Sequence, residues 1–286
     1  MPLLSVKDME HMSRLFRGRL GNAIAGGLVH ILSIDRVNDL YDSNIDMKGP
    51  DFAAAVLNDV GFEYQIGVAD DPSLRLADIL PSGPFITISN HPCGHLDGVS
   101  LVDIFGHIRP DYKVMVNRIL ARVKPLEGNF IEVTPVGNER KTPTAASISG
   151  VKEALRHLRD GGSLGLFPSG AVSDLSLRDR CIRDRQWQDA VIRLIMKAEV
   201  PVVPVRFFDG NSAFYYSLGL IDWRVRLLRL PAEVFNKRGK TMHIGVGRPI
   251  SVRQQKHYGK DVEAFRDFLR NSVYGMTCIG KEKYFG

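Results

Sequence analysis

From about residue 50 onwards, short apolar runs alternate with segments that carry a helical repeat. Runs such as PFITIS (84–89) and SLGLF (163–167) are compact and rich in aliphatic residues, which is typical of strands buried within a sheet. In Trp187 to Glu199, by contrast, apolar residues recur three or four positions apart, as on one face of a helix. The alternation predicts an α/β fold, with a mixed, mostly parallel central sheet that is covered by helices. The other expected strands are EYQIGV (63–68), KVMV (113–116), NFIEV (129–133) and PVVPVRF (201–207), and the other expected helices cover 50–61 and 144–160.

The first 48 residues differ in character from the rest. The apolar run Leu20 to Ile34 follows three arginines and is shorter than the roughly 18 to 20 residues that a membrane-spanning helix needs. The chain then continues into charged residues without a small-residue cleavage site, which disfavours a cleaved signal peptide. We therefore expect an amphipathic helical segment at 1–48, either packed on the body or lying in a membrane interface, and one body at 49–286.

Basic residues exceed acidic residues in this chain. Thirty-eight Lys and Arg against 32 Asp and Glu give a net charge of +6, which favours an anionic partner such as a nucleic acid, a membrane face or an acidic protein. The three cysteines are widely separated, so they form neither a disulfide framework nor a zinc knuckle and indicate a reducing, cytosolic setting.

The densest cluster of reactive side chains follows the expected strand 84–89 and precedes a helix expected to begin near Gly98. In SNHPCGHLDG (89–98), His91 and Asp97 lie on opposite sides of a tight turn, where a carboxylate can orient an imidazole for general-base catalysis. A metal site that includes Cys93 and His95 is an alternative, although a proline and a glycine interrupt the helical face that would direct both imidazoles at one ion. Two further alternatives are a purely structural turn and covalent catalysis by the cysteine.

The order of short motifs supplies a family resemblance. Asn90-His91-Pro92-x-Gly94-x-x-Asp97-Gly98 resembles the histidine–aspartate motif of the lysophospholipid acyltransferase (PlsC-like) superfamily. Its five residues between His and Asp resemble the hemolysin-like branch, which includes bacterial lyso-glycine-lipid and lyso-ornithine-lipid O-acyltransferases. The later motifs of the family follow in order, and the resemblance extends over residues 85–250. These motifs are NFIEVTP (129–135), FPSG (167–170) and VPVVPV (200–205).

The resemblance implies a glycerolipid acyltransferase-like fold and a role for each motif. His91 would take the proton from an acceptor hydroxyl, whose oxygen attacks an acyl thioester of acyl carrier protein or coenzyme A, and Asp97 would orient the imidazole. No metal and no cofactor beyond this acyl donor is expected. Backbone amides of the FPSGA loop would face the developing oxyanion, and three further residues are candidates for supporting the pair or contacting the acceptor. The loop consists of Phe167, Pro168, Ser169, Gly170 and Ala171, and the further candidates are Asn90, His95 and Arg140.

Two departures from the family pattern bear on the acceptor. Members that form phosphatidic acid carry an arginine at the end of the second motif and Glu-Gly-Thr-Arg in the third, whereas NFIEVTP and FPSGAVS lack these charges. The resemblance therefore favours a lyso-amino-acid lipid, either lyso-glycine or lyso-ornithine lipid, as the acceptor. The alternatives are acylation of 1-acylglycerol-3-phosphate or another lysophospholipid, a metal-dependent hydrolase, and a basic binding module without catalysis.

Two basic segments bear on the partners. Residues 221–240 carry six cations against Asp222 and Glu233, interleaved with Trp and Leu, which suits an anionic lipid surface or acidic acyl carrier protein. A solvated charged face above a buried leucine stripe is the alternative. The run Arg178 to Arg185 is interleaved with aspartates, so we expect a solvated or self-paired loop there. These observations favour a cytoplasmic enzyme that associates peripherally with the inner membrane and has no nucleic-acid partner.

Overall fold

A computed structural model of the chain describes residues 32–133 and 145–277, except for the side chains of residues 145, 146 and 224. Most of the expected N-terminal helical segment lies outside these residues. The helices are α1 (Ile34–Ser43), α2 (Gly49–Val60), α3 (Leu76–Ile79), α4 (His95–Ile108), α5 (Ala145–Arg159), α6 (Asp189–Ala198), α7 (Ala213–Ile221), α8 (Trp223–Leu228), α9 (Leu230–Phe235), α10 (Val252–Lys256) and α11 (Val262–Tyr274). None of the helices within the described ranges is long and apolar enough to cross a bilayer.

Seven strands form one sheet in the order β1-β9-β8-β2-β5-β3-β4. Neighbouring strands are parallel except β8 and β9, so β1 and β9 run against the other five. Two further strands, β6 and β7, form a separate antiparallel hairpin. This topology confirms the expected α/β fold with a mixed, mostly parallel sheet. The strands are β1 (Phe62–Val68), β2 (Ile86–Ser89), β3 (Lys113–Val116), β4 (Phe130–Glu132), β5 (Leu164–Leu166), β6 (Asp174–Ser176), β7 (Cys181–Arg183), β8 (Val202–Phe207) and β9 (Lys240–Val246).

Two hydrophobic clusters cover the two faces of the sheet. Along β8, Val203 and Val205 belong to one cluster and Val202 to the other, because successive side chains of a strand point to opposite faces. Helices α2 and α4 cover the first cluster, and α5, α6 and α11 cover the second. Tyr41 of α1 packs edge-on against Phe52 of α2, with 6.3 Å between the ring centroids. Because both faces are covered, β2 is buried at all four positions, including its Thr87 and Ser89.

The turn between β2 and α4 is shaped by Gly94. This residue has a φ of +73°, and a Cβ atom at its position would lie 2.9 Å from a methyl group of Leu230. Both features favour glycine. Helix α4 then begins at His95, three residues before the start expected near Gly98. Asp97 therefore lies in the first turn of the helix, where its carboxylate accepts hydrogen bonds from backbone amides that precede it.

Candidate active site

The carboxyl ends of three adjacent parallel strands bring the candidate residues together. His91 follows β2, Phe167 follows β5 and Asn117 follows β3. These strands are neighbours in the order β2-β5-β3, so the three residues share one edge of the sheet. Ligands of open α/β sheets bind at this edge, which is where the sequence predicts the active groups.

His91 and Asp97 form a hydrogen-bonded pair. The Nδ1 atom of His91 lies 3.0 Å from Oδ2 of Asp97, and the same oxygen accepts the backbone amides of Cys93 at 2.8 Å and Gly94 at 3.0 Å. A carboxylate can only accept, so Nδ1 carries the proton and Nε2 is left as the base. The carboxylate is completely buried, whereas the imidazole lines an open cleft. The pair has the geometry of an oriented general base.

Phe167, the first residue of the FPSGA loop, packs against the imidazole. The two ring centroids are 4.1 Å apart and the ring planes are inclined by 30°. The phenyl ring therefore restricts rotation of the imidazole, while Asp97 holds its Nδ1 atom. Sequence analysis assigned the Phe167 loop to the oxyanion; the structure shows that its phenylalanine contacts the base itself.

A second buried carboxylate, Asp184, contacts the backbone of His91. Its Oδ1 atom accepts the backbone amide of His91 at 3.1 Å and the hydroxyl of Ser173 at 2.6 Å, and its Oδ2 accepts the indole N–H of Trp187 at 3.0 Å. Burial raises the pKa of Asp184, while the hydrogen bonds from Ser173 and Trp187 oppose this rise. The expectation that the Arg178 to Arg185 run is a solvated or self-paired loop is therefore wrong for Asp184.

The remaining part of that run forms the β6–β7 hairpin. Asp179 and Arg183 lie 3.6 Å apart, and Arg185 pairs with Asp174. The Asp179–Arg183 pair agrees with the expectation of charges that neutralise one another within the run, whereas Arg185 pairs with an aspartate outside it.

Two backbone amides of the FPSGA loop are hydrogen-bonded within the loop. The N–H of Gly170 donates to the carbonyl of Phe167 at 2.9 Å, and the N–H of Ala171 contacts the hydroxyl of Ser169 at 3.4 Å. Pro168 accepts the backbone N–H of Gln188 through its carbonyl. Gly170 has a φ of +65°, and a Cβ atom there would meet the side-chain amide of Gln188 at 2.1 Å. The side chain of Gln188 thus lies beside this loop and lines the cleft.

The three supporting candidates have different surroundings. Asn90 is buried and exchanges two hydrogen bonds of 2.8 Å with the backbone of Phe207, so it ties the end of β2 to β8 and does not line the cleft. His95 lines the cleft beside His91, and burial together with the charge of His91 lowers the pKa of His95 to about 4. Arg140 lies outside the described residues.

Two cavities meet at His95. The catalytic cleft has an empty volume of about 740 Å³ and includes the side chains of His91, Asn117 and Gln188. The second cavity, of about 760 Å³, is lined almost entirely by apolar side chains of α1, α2, α4, α9 and the segment 119–126. His95 and Leu120 line both cavities, so an elongated amphiphile could have its reactive end in the cleft and its tail in the apolar cavity.

The alternatives based on Cys93 and on a metal find little support in this geometry. Cys93 is buried, and its burial and the neighbouring charge of Asp97 raise the pKa of its thiol, which disfavours a thiolate nucleophile. Within residues 32–133 and 145–277, no three His, Cys, Asp or Glu side chains are grouped as ligands of a metal ion would be.

The basic segment 221–240 is not a continuous charged face. Arg226 is buried, donates to two backbone carbonyls and pairs with Asp174. Lys237 is also buried and donates to the carbonyl of Gly210 and the side chain of Asn211. Two of the six cations therefore stabilise the interior, and neither the lipid-facing nor the solvated alternative describes them.

Comparisons with known proteins agree with this geometry. A family model described as an acyltransferase matches residues 35–278. A lyso-glycine lipid O-acyltransferase of Bacteroides thetaiotaomicron is 27% identical over 257 residues, which cover 87% of this chain and 88% of the relative. A protein of the same name from Phocaeicola vulgatus is 25% identical over 256 residues, covering 87% and 86% of the two chains.

Among solved structures, the 1-acyl-sn-glycerophosphate (LPA) acyltransferase PlsC from Thermotoga maritima is similar over 78% of each chain, with 13% sequence identity and a TM-score of 0.44. The family match extends over most of this chain and includes the His91–Asp97 pair, so it confirms the resemblance predicted from the order of the motifs. The chain therefore belongs to this acyltransferase family.

Proposed function

We propose that this enzyme is an O-acyltransferase that moves a fatty acyl group from an acyl thioester to the hydroxyl of a lyso-amino-acid lipid, and that the acceptor is a lyso-glycine lipid. The observation that carries the proposal is the His91–Asp97 pair at a cleft that meets an apolar cavity at His95. The names of the two relatives support the glycine-lipid acceptor.

The proposed reaction needs no covalent enzyme intermediate. Nε2 of His91 takes the proton of the acceptor hydroxyl while the hydroxyl oxygen bonds to the thioester carbon. The tetrahedral intermediate then collapses, the carbon–sulfur bond breaks, and the imidazolium returns its proton to the thiolate. The products are the new ester and the free thiol of the carrier. Asp97 holds the imidazole with Nε2 towards the cleft and offsets its positive charge during the step.

Side-chain amides are the proposed donors to the developing oxyanion. The amides of Gly170 and Ala171 are engaged within the FPSGA loop, whereas Asn117 and Gln188 line the cleft. Oδ1 of Asn117 caps the following turn through two backbone amides, which leaves its Nδ2 group as a donor. One hydrogen of Gln188 Nε2 is directed to the carbonyl of Ser169. Its second hydrogen is, like the Nδ2 group of Asn117, a proposed donor to the oxyanion.

The cleft lining also supports an acceptor without a phosphate. None of the described residues that line the catalytic cleft is a lysine or an arginine. Such cations commonly bind phosphate groups in proteins, so the described part of the lining supplies none for the phosphate of 1-acylglycerol-3-phosphate. The apolar cavity accommodates a fatty chain, which gains stability from removal of its surface from water.

The donor is proposed to be acyl carrier protein or coenzyme A, since both present the same thioester to the cleft. The acceptor is a lipid, so we propose that the enzyme works at a membrane surface as a peripheral protein of the cytoplasmic side.

The test is transfer of a labelled acyl group to a panel of lyso-lipids in detergent micelles, with each donor in turn. Lyso-glycine lipid is the expected best acceptor, followed by lyso-ornithine lipid, with 1-acylglycerol-3-phosphate far behind. His91→Ala should lower kcat about 100-fold to 10,000-fold, which is the usual contribution of a general base. His257→Ala is the matched control, because His257 is exposed at the end of α10 and lines neither cavity. Full activity of His91→Ala would refute the mechanism, and faster acylation of 1-acylglycerol-3-phosphate would refute the acceptor.

A further inference from the structure

Exposed apolar side chains concentrate on helices α7 and α8. Eleven large apolar residues are exposed among the described residues, and five of them lie here. Phe214 and Ile221 are seven positions apart on α7, hence on one side of it, and are 57% and 80% exposed. Leu220, which is 50% exposed, and Trp223 and Val225 of α8 complete the group. We call these five side chains the α7–α8 face.

The fold leaves much of this face exposed, although the guanidinium of Arg229 lies over the ring of Phe214. The opposite side of α7 is packed already, since Tyr215 and Tyr216 are buried in a cluster with Leu230. None of the five side chains lines the catalytic cleft or the apolar cavity. Single exposed apolar residues are common on protein surfaces, but five of them on two short, successive helices indicate an interaction surface.

The β6–β7 hairpin packs against α7 and α8 and carries exposed cations at its tip. Arg226 of α8 pairs with Asp174 of β6, so the hairpin is anchored on α8. At the tip, Leu177 is 68% exposed, and Arg178 and Arg180 are exposed on the same turn. Apolar side chains flanked by arginines fit the interfacial zone of a bilayer with anionic headgroups.

We propose that the α7–α8 face and the hairpin tip together dock the enzyme onto an anionic bilayer. Asp179 at the tip lies 3.6 Å from Arg183, which leaves Arg178 and Arg180 as the excess charge towards the lipid. Helix α9 follows α8 directly, and its side chains line the apolar cavity. Docking would thus hold the cavity close to the membrane from which the proposed acceptor is drawn. The choice of a lipid surface as the partner rests on the proposed function, but docking itself requires no acyl transfer.

Flotation with unilamellar vesicles tests this surface directly. The full-length protein should bind vesicles of phosphatidylcholine that contain about 30 mol% phosphatidylglycerol, because their anionic headgroups attract its cations. It should bind vesicles of pure phosphatidylcholine less. Leu220→Asp/Ile221→Asp should lower the partition coefficient for the anionic vesicles at least 10-fold. Arg178→Glu/Arg180→Glu should remove the preference for anionic vesicles, and added salt should weaken wild-type binding.

Ile148→Asp is the matched control, because Ile148 is 49% exposed on α5 and lies outside the face. It should bind vesicles as the wild type does. Circular dichroism and thermal midpoints should show that all variants are folded. The proposal would be overturned if Leu220→Asp/Ile221→Asp bound vesicles as well as the wild type does. It would also be overturned if gel filtration showed that the face serves only to join two copies of the chain.

Transfer to detergent-dispersed lyso-lipid separates this proposal from the proposed function. The Leu220→Asp/Ile221→Asp variant should keep wild-type turnover in micelles while losing turnover on vesicles. A wild-type protein that binds anionic vesicles through this face but transfers no acyl group would refute the proposed function and leave the docking surface standing.

Discussion

His91 is fixed both through its ring and through its backbone. Asp97 and Phe167 hold the imidazole, while its backbone amide donates to Asp184 and its carbonyl accepts the amide of Ser173 at 2.9 Å. A base that is held in this way needs no rearrangement before it accepts the proton, and misplacement of a catalytic group by about 1 Å can cost 100-fold in rate. The backbone contacts should therefore matter for turnover although they touch no substrate.

Replacement of Asp184 tests this backbone support. Asp184→Asn retains one oxygen for the three donors that now contact the carboxylate, so the amide of His91 should lose part of its restraint. We expect kcat to fall about 10-fold to 100-fold with a nearly unchanged KM for the acceptor. Steady-state kinetics on the purified variant measure both quantities.

Trp187→Phe gives the matched comparison, since it removes one donor to Asp184 and keeps a buried aromatic ring. Its kcat should fall less than that of Asp184→Asn. A loss confined to the thermal midpoint, with wild-type kcat in both variants, would show that Asp184 supports only the fold.

The local part of the site could be predicted from the sequence, but the distant part could not. His91 and Asp97 are six positions apart, so the turn that joins them brings them together. Asp184 is 93 positions from His91 and lies in a run of arginines and aspartates that is typical of solvent. Its burial depends on hydrogen bonds from Ser173 and Trp187, and these donors are recognisable only once the fold is known.

At the scale of elements, the buried strands were the most predictable parts of the chain. The six expected strands correspond to β1, β2, β3, β4, β5 and β8, because short runs rich in aliphatic and aromatic residues are typical of strands. Strand β9 was not expected. In its sequence KTMHIGV, His243 interrupts the apolar residues. This histidine is nevertheless buried, and its Nδ1 atom lies 2.9 Å from a carboxylate oxygen of Asp209. Periodicity cannot show a partner that is supplied by another segment.

An ion pair with a buried arginine joins the β6–β7 hairpin to α8. Arg226 is buried, pairs with Asp174 and donates to the carbonyls of Val172 and Ser173. Arg226→Met should lower the free energy of unfolding by about 2 to 4 kcal/mol, because it leaves these acceptors without their donor. Chemical denaturation followed by circular dichroism measures the change.

Arg253→Met serves as the reference for this measurement, since Arg253 is exposed on α10. It should change the unfolding free energy by less than about 0.5 kcal/mol, as surface substitutions usually do. Equal denaturation midpoints of the two variants would contradict a structural role of the buried arginine.

At the scale of the whole molecule, His95 links stability to pH. Its pKa is lowered from 6.5 to about 4 in the folded protein, so the unfolded chain binds more protons between these values. The free energy of unfolding therefore falls as the pH drops from about 6.5 towards 4. By pH 5 this contribution is on the order of 1 to 2 kcal/mol, or a few degrees in thermal midpoint.

The decrease between pH 7 and pH 5 should be smaller in His95→Gln than in the wild type. His257→Gln, at an exposed site, should retain the full decrease. The raised pKa of Asp184 opposes the trend in both variants alike, because a carboxyl group with a raised pKa stabilises the folded state on acidification. The same decrease in all three proteins would assign the acid sensitivity to other groups.

β1 and β9, the first and last strands of the sheet in sequence order, pair with each other. Phe62 lies opposite Lys240, and the parallel register continues to Val68 opposite Val246. During synthesis on the ribosome, at about 5 to 20 residues per second, β1 would emerge on the order of 10 to 40 s before its partner strand. Throughout that interval its hydrogen-bonding edge has no native partner, so β1 is the strand of this enzyme most in need of protection while the chain is being made.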